Sequence, residues 1–179
     1  VQGDIYALPF MKETFPFVYS LGVLQHKPDV GKAIAALPTV MCREGQLCVD
    51  VYWKRIRTML HTKYLLRPLT TRISQNRLFF FLRYTVPFLL AVSKILGKVP
   101  LIGKVLKRLI PVADYTGVYP LDDKQLREWA LLDTFDMLSP EYDNPQTSDQ
   151  LKRFLEFGGI TNIEIFQEGM LVGRGYKKI

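Results

Sequence analysis

His26 ends the run Ser20-Leu21-Gly22-Val23-Leu24-Gln25-His26, and an imidazole there could take a proton from a bound molecule as a general base. It could equally cap the turn that follows. Gly3-Asp4 sets an acceptor-only carboxylate near the start of the chain, at either a ligand-facing strand end or an ordinary turn. Asp133, Asp136 and Tyr142, within the run Asp133 to Asp143, either line a pocket or make polar turns around Pro140. Cys42 and Cys48 lack a metal-ligand spacing and no histidine completes a cluster, so both read as small buried hydrophobes and no metal site is expected.

These residues must be positioned by regular elements. Phe17-Val18-Tyr19-Ser20 suits a buried strand, and Gln46 to Tyr52 reads as a second strand rich in β-formers. Between them, Val30 to Met41 carries Ala33, Ile34, Leu37 and Val40 at helical spacing, with Asp29 as N-cap and Glu44-Gly45 as the turn out. A strand-helix-strand unit of one preferred hand builds a parallel sheet and presents ligands at the carboxyl ends of its strands. Asp122 is expected to cap a helix running through Asp133. Thr147 to Gln150 form a capping box before a helix that ends at Gly158-Gly159, and Ile160 to Phe166 with Met170 to Tyr176 form a hairpin. The division expected is 1–53, 54–120 and 121–179, an α/β core interrupted by a helical insert.

The insert sets the charge. Residues 54–112 hold 13 Lys or Arg and no Asp or Glu, a charge of +13 against −6 for the rest, so the net +7 belongs to one local surface that attracts anions. From Leu101 to Ile110, helical spacing puts Leu101, Ile102, Val105, Leu106, Leu109 and Ile110 on one half and Lys104, Lys107 and Arg108 on the other. Arg83 and Lys94 interrupt the apolar stretch from Leu78 to Gly97, and its longest uncharged run, Tyr84 to Ser93, falls short of the roughly 20 residues a membrane span needs. Two readings of the insert stay open. Either its Phe and Leu residues pack inward while the cations snorkel, or it lies peripherally on an acidic membrane surface. The aromatic density suits lipid or core better than nucleic acid, which is not expected as a partner.

Taken together, Gly3-Asp4 with Leu8-Pro9-Phe10, Val18 through His26, then Ala33, Leu37, Gly45 and Val49-Asp50-Val51-Tyr52 follow an order and spacing that resembles the latter half of a class I methyltransferase domain. This is the Rossmann-like family that uses S-adenosylmethionine. The closing helix and hairpin are similar to the elements that end that fold. The resemblance implies a partial Rossmann-like sheet with an inserted helical lid, S-adenosylmethionine as cofactor and a small-molecule acceptor. It implies that Asp4 accepts a hydrogen bond from the adenine amino group with Ile5 beside the ring. Ser20, Leu21 and Gly22 would form the turn under the methionine part, where a glycine permits close backbone approach. Gln25 and His26 would face the transferred methyl or the acceptor, and Asp133, Asp136 and Tyr142 would line the acceptor pocket. Pro16 stands where the family carries an acidic residue, and Gln46 replaces a glycine. The family's glycine-rich cofactor loop has no counterpart in these residues. The expectation is therefore a cytoplasmic methyltransferase, with peripheral membrane contact left open, seen as a fragment that is inactive alone. The rivals are a membrane-surface or nucleic-acid-binding module using the basic insert, and a dinucleotide-dependent oxidoreductase, which the downstream motifs disfavour.

Overall fold

The computed structural model describes residues 1–55 and 62–178. The chain forms two compact units, Val1–Arg55 with Tyr142–Ile179, and Ile56–Glu141. The division thus runs after Arg55 and after Glu141, where the sequence suggested residues 53 and 120.

The first unit is built on a four-stranded sheet in the order β1-β2-β4-β3. Strand β1 (Phe15–Ser20) pairs in parallel with β2 (Met41–Val51), and Ser20 lies opposite Val49. Strands β3 (Ile160–Glu168) and β4 (Met170–Lys177) form the antiparallel hairpin, and β4 docks antiparallel on β2. The result is a mixed α/β fold with a parallel beginning and an antiparallel end. Along β2, Leu47, Val49 and Val51 are buried on alternate positions, the period-two signature of a strand with one face on the core.

Two helices join that core. Asp29 caps α1 (Val30–Ala36), its Oδ1 accepting from the Lys32 amide at 2.9 Å. The α-helix ends there because Pro38 stands in the next turn, which continues as a short 3-10 segment to Val40. Helix α6 (Ser148–Phe157) begins with the anticipated capping box: Thr147 Oγ1 accepts from the Gln150 amide and Gln150 Oε1 from the Thr147 amide. Leu151 and Leu155 of α6 are fully buried with Leu24, Ile34 and Val49. Each such side chain stabilises by about 1.5–3 kcal/mol. Gly173 of β4 allows this approach, since a Cβ there would lie 2.8 Å from Leu155.

Several local expectations are corrected. Val1 to Asp4 contain no strand end, but lead into a turn in which the Ala7 amide donates to the Asp4 carbonyl at 3.0 Å. Strand β1 forms, yet Phe17 and Tyr19 are exposed because they stand on the sheet face of Gln46, Cys48, Arg174 and Tyr176, opposite the face that packs on the core. Glu44-Gly45 is no exit turn. Strand β2 starts at Met41 and runs through it, with Glu44 at φ +56° and the register with β1 shifting between Phe15 and Phe17, as at a bulge. Cys42 and Cys48 are half-buried.

The second unit is helical: α2 (Lys63–Thr70), α3 (Gln75–Leu96), α4 (Gly103–Leu109) and α5 (Asp123–Leu138). Its core is a four-residue ladder on α3, Leu78, Leu82, Val86 and Leu90, packed with Leu126, Ala130 and Leu138 of α5. Asp122 caps α5 as anticipated, with Gln125 completing a reciprocal box, but the helix continues to Leu138. Asp133 and Asp136 therefore lie on a helix and not in a loop. Buried Arg67 closes the far end of α5, its Nη1 and Nη2 donating to the carbonyls of Met137 and Pro140 at 3.1 and 2.7 Å. A guanidinium suits a helix C-terminus, where unpaired carbonyls gather negative potential.

One ion pair sits inside this unit. The Asp114 side chain is only 5% exposed and receives Lys107 Nζ at 2.7 Å and Ser93 Oγ at 2.7 Å. Burial pushes its carboxyl up, but the hydrogen bonds from Lys107, Ser93 and Thr116 outweigh that and bring it down to about 2. Lys107 is thereby turned toward Asp114, while Ile102, Val105 and Leu109 of the same helical segment face solvent. The inward-packing reading of the insert fails for this helix. The side chains of Lys104 and Arg108 lie outside the described residues.

Candidate active site at the strand ends of the first unit

Because β1 and β2 are parallel, their carboxyl ends lie at one edge of the sheet, and the chain leaving β1 there forms the turn from Leu21 to His26. Ser20 is the last residue of β1 and its only buried one. Leu21 is exposed, and Gly22 has φ +70°, a left-handed conformation that residues with a Cβ adopt at a cost. A Cβ on Gly22 would meet nothing within 4 Å, so backbone conformation and not crowding within this chain calls for glycine. The Gly22 amide donates to Asp50 Oδ1 at 2.6 Å, which ties the turn after β1 to the end of β2.

Past this turn, Leu24–His26 make one turn of 3-10 helix. Gln25 is 1% exposed, and its backbone carbonyl accepts from the Asn144 amide at 2.8 Å. Asn144 Nδ2 donates to the Lys27 carbonyl at 2.7 Å, and the Gln146 amide donates to the Tyr52 carbonyl at 2.8 Å. The segment before α6 is thus stitched to both the His26 turn and the end of β2.

His26 Nδ1 lies 3.1 Å from the Tyr142 carbonyl oxygen, and its ring meets that of Tyr52 edge to face with centroids 5.6 Å apart. A carbonyl can only accept, so Nδ1 carries the proton; in the neutral ring Nε2 then carries the lone pair. Among the described residues, His26 Nε2 and Gln25 Oε1 are buried polar atoms with no hydrogen-bond partner. Buried polar atoms in folded proteins are nearly always paired. Two unpaired acceptors on adjacent residues, beside a glycine turn at the strand ends, fit a polar ligand at this edge. Capping is not the role of His26, since Asp29 caps the next helix.

The remaining anticipated residues are distributed as follows. Asp4 is exposed and its Oδ1 accepts from the Tyr6 amide at 3.0 Å, while Ile5 packs against the first core. Tyr142 reaches the site through its backbone carbonyl, in the first unit. Asp133 and Asp136 belong to the second unit, exposed on α5, with Asp133 accepting a hydrogen bond from the Tyr115 hydroxyl. Two positioning residues escaped the sequence reading. Asp50 gave a signal, a carboxylate next to the end of a β-rich run, whereas Asn144 gave none. Near Asp50, burial pushes the Cys48 thiol up, with Arg174 opposing and Asp50 reinforcing that shift.

A separate groove of about 260 Å³ is lined by Leu8, Phe10, Phe15, Phe17, Val18, Tyr19, Leu37 and Val40. Its lining includes none of the residues from Leu21 to His26 and no charged group.

Residues 1–49 match a family model described as a methyltransferase domain, the segment in which the sequence motifs lie. No curated protein matches the chain. Among solved structures, a protein described as a possible exported protein of Bordetella parapertussis is similar at 13% identity and a TM-score of 0.48, over 99% of this chain and 43% of that one. A Thermotoga maritima protein described as a SAM-dependent methyltransferase, possible histamine N-methyltransferase, gives 10% identity and a TM-score of 0.47 over 99% and 63%. Human N-acetylserotonin methyltransferase, solved in complex with SAM, gives 10% and 0.46 over 100% and 33%. The chain spans less than two thirds of the length of each.

Proposed function

We propose that this chain forms part of an S-adenosylmethionine-dependent methyltransferase acting on a small acceptor, amphiphilic or lipid-linked. The observation that carries the proposal is His26: its Nδ1 proton is held by the Tyr142 carbonyl, and its Nε2 is a buried acceptor without a partner among the described residues. The family match over residues 1–49 supports the same class.

When bound, S-adenosylmethionine supplies a methyl group made reactive by a positively charged sulfonium. In this reading the residues of the chain do the rest. Ser20, Leu21 and Gly22 line the cofactor's methionine part, with Asp50 fixing the turn through the Gly22 amide. Asp4 and Ile5 address the adenine. Gln25 Oε1 and His26 Nε2 hold polar hydrogens of the bound molecules, and Nε2 takes up the acceptor's proton where methylation requires its loss. Orientation and removal of water supply much of the rate in such a displacement. Tyr142 is proposed to contact the acceptor, whose amphiphilic character is suggested by the apolar and cationic insert; Asp133 and Asp136, on α5 of the other unit, are given no part in this site. The 179 residues alone are proposed to bind cofactor weakly and to be inactive, since none of them matches the glycine-rich loop.

Calorimetric titration of S-adenosylhomocysteine tests this. The intact gene product is expected to bind, and Gly22→Val, strained at φ +70°, to weaken binding at least tenfold while leaving the thermal unfolding of the second unit unchanged. Equal binding by wild type and variant would refute the site. Tight binding by the 179 residues alone would refute the weak-binding part.

A further inference from the structure

The second unit wastes apolar surface in an ordered way. On α3, the buried ladder Leu78, Leu82, Val86 and Leu90 takes up one side. At about 100° per residue, Phe80, Phe81, Tyr84, Phe88 and Ile95 fall on the opposite side, and each is more than 60% exposed. Only 28% of the helix's most apolar window is buried. A soluble helix ordinarily carries one apolar face, and here there are two. The short helix α4 repeats the pattern independently, with Val105 and Leu109 outward while Lys107 turns in to Asp114.

Charge says what could cover such a face. Residues 54–112 contain no Asp or Glu, and Arg72, Arg77, Arg83 and Lys98 stand exposed along and beside α3. Arg77 lies within the outer apolar stripe, and Arg83 at its flank. An apolar stripe whose charged neighbours on its own helix are all cations, with Lys94 at one end paired to Asp123, matches a bilayer interface carrying acidic headgroups, where rings enter the acyl boundary and guanidinium groups meet phosphate. Alone among the described helices, α3 is long and apolar enough to cross a membrane, yet its inner side holds the unit's core and Ser93 donates to buried Asp114. Those contacts keep α3 in the protein and leave only its outer side for lipid.

We propose that the outer face of α3, aided by that of α4, docks this protein peripherally on an acidic phospholipid surface. The inference stands apart from methyl transfer. Vesicle binding can fail while S-adenosylhomocysteine still binds, and the reverse.

Co-sedimentation with phosphatidylcholine vesicles, with and without about one third phosphatidylserine, tests it on the whole chain. Binding to the acidic vesicles at low salt, and at least tenfold less to the neutral ones, is expected. Phe81→Ser with Phe88→Ser should lower the acidic-vesicle partition coefficient at least tenfold, with helical circular dichroism and melting retained because both residues are exposed. Arg77→Gln with Arg83→Gln should lower it about tenfold and flatten its salt dependence. Failure to bind acidic vesicles would overturn the proposal, as would a partition coefficient unchanged by the Phe pair. Retention of single-stranded RNA in place of vesicles would overturn it in favour of base stacking. Dimerisation abolished by the Phe pair, without vesicle binding, would overturn it in favour of a second copy.

Discussion

The two units differ in which buried polar groups they satisfy and in whether one helix carries a continuous exposed apolar stripe. In the first, the core residues of β2, α1 and α6 point inward, and the unpaired atoms are polar ones, Gln25 Oε1 and His26 Nε2, at the strand ends. In the second, the polar groups are well provided for, with Arg67 on the carbonyls ending α5 and Lys107 and Ser93 on Asp114, while large apolar side chains are left outside. An unpaired acceptor fits a small polar ligand, and an uncovered apolar stripe fits an extended apolar surface. The contrast teaches that the surfaces proposed for ligand and for lipid differ in kind.

If the units are separately stabilised, Leu151→Ala gives the largest effect. Removing a fully buried leucine should cost about 3 kcal/mol in the first unit. Hydrogen exchange read peptide by peptide should accelerate in β2, β4 and α6 and stay unchanged in α3 and α5; equal acceleration everywhere would break the comparison.

Asp114→Asn probes the other side and is expected to cost about 2 kcal/mol, the usual scale for hydrogen bonds to a charged group. The sign with pH follows from the depressed carboxyl. Its folded value of about 2 lies below the unfolded value near 3.9, so its stabilisation is complete above about pH 4 and is lost as pH falls toward 2. Acid should therefore loosen α3 and α4 in the wild type, and in Asp114→Asn that step should be absent. The smallest effect is Thr147→Ala, about 1 kcal/mol, felt in α6 and not in the helices of the second unit.

What could be read from the sequence was local. The cap at Asp122 and the box at Thr147-Gln150 announced two helices because capping groups lie within a few residues of one another, and the hairpin showed itself through strand runs flanking Glu168-Gly169. Misreadings came from residues whose state is set at a distance. Glu44-Gly45 has turn chemistry, but pairing with β1 on both sides, Phe15 with Met41 and Phe17 with Gln46, absorbs it into β2 as a bulge. Phe17 and Tyr19 look like core residues, and their exposure follows from the register that puts them on the outer face of the sheet beside Gln46 and Cys48. Which side of α4 faces inward was decided by Asp114, several residues downstream of the helix. At the site, the turn from Ser20 to His26 was legible as a motif. The Tyr142 carbonyl that fixes the His26 tautomer lies 116 positions away and left no trace in the local pattern.

The discontinuity of the first unit also orders events in time. Strand β2 finds its partner β4 far along the chain, Gln46 facing Tyr176, whereas every contact in the second unit's core joins residues between Leu78 and Leu138. Closing the longer loop costs more chain entropy before any contact is gained. During synthesis the helical unit can complete its core while β4 is still unmade, and once folded it shortens the loop that β2 and β4 must close. The interruption of the sheet by the 86 residues of the second unit is thus less of a kinetic burden than its length implies.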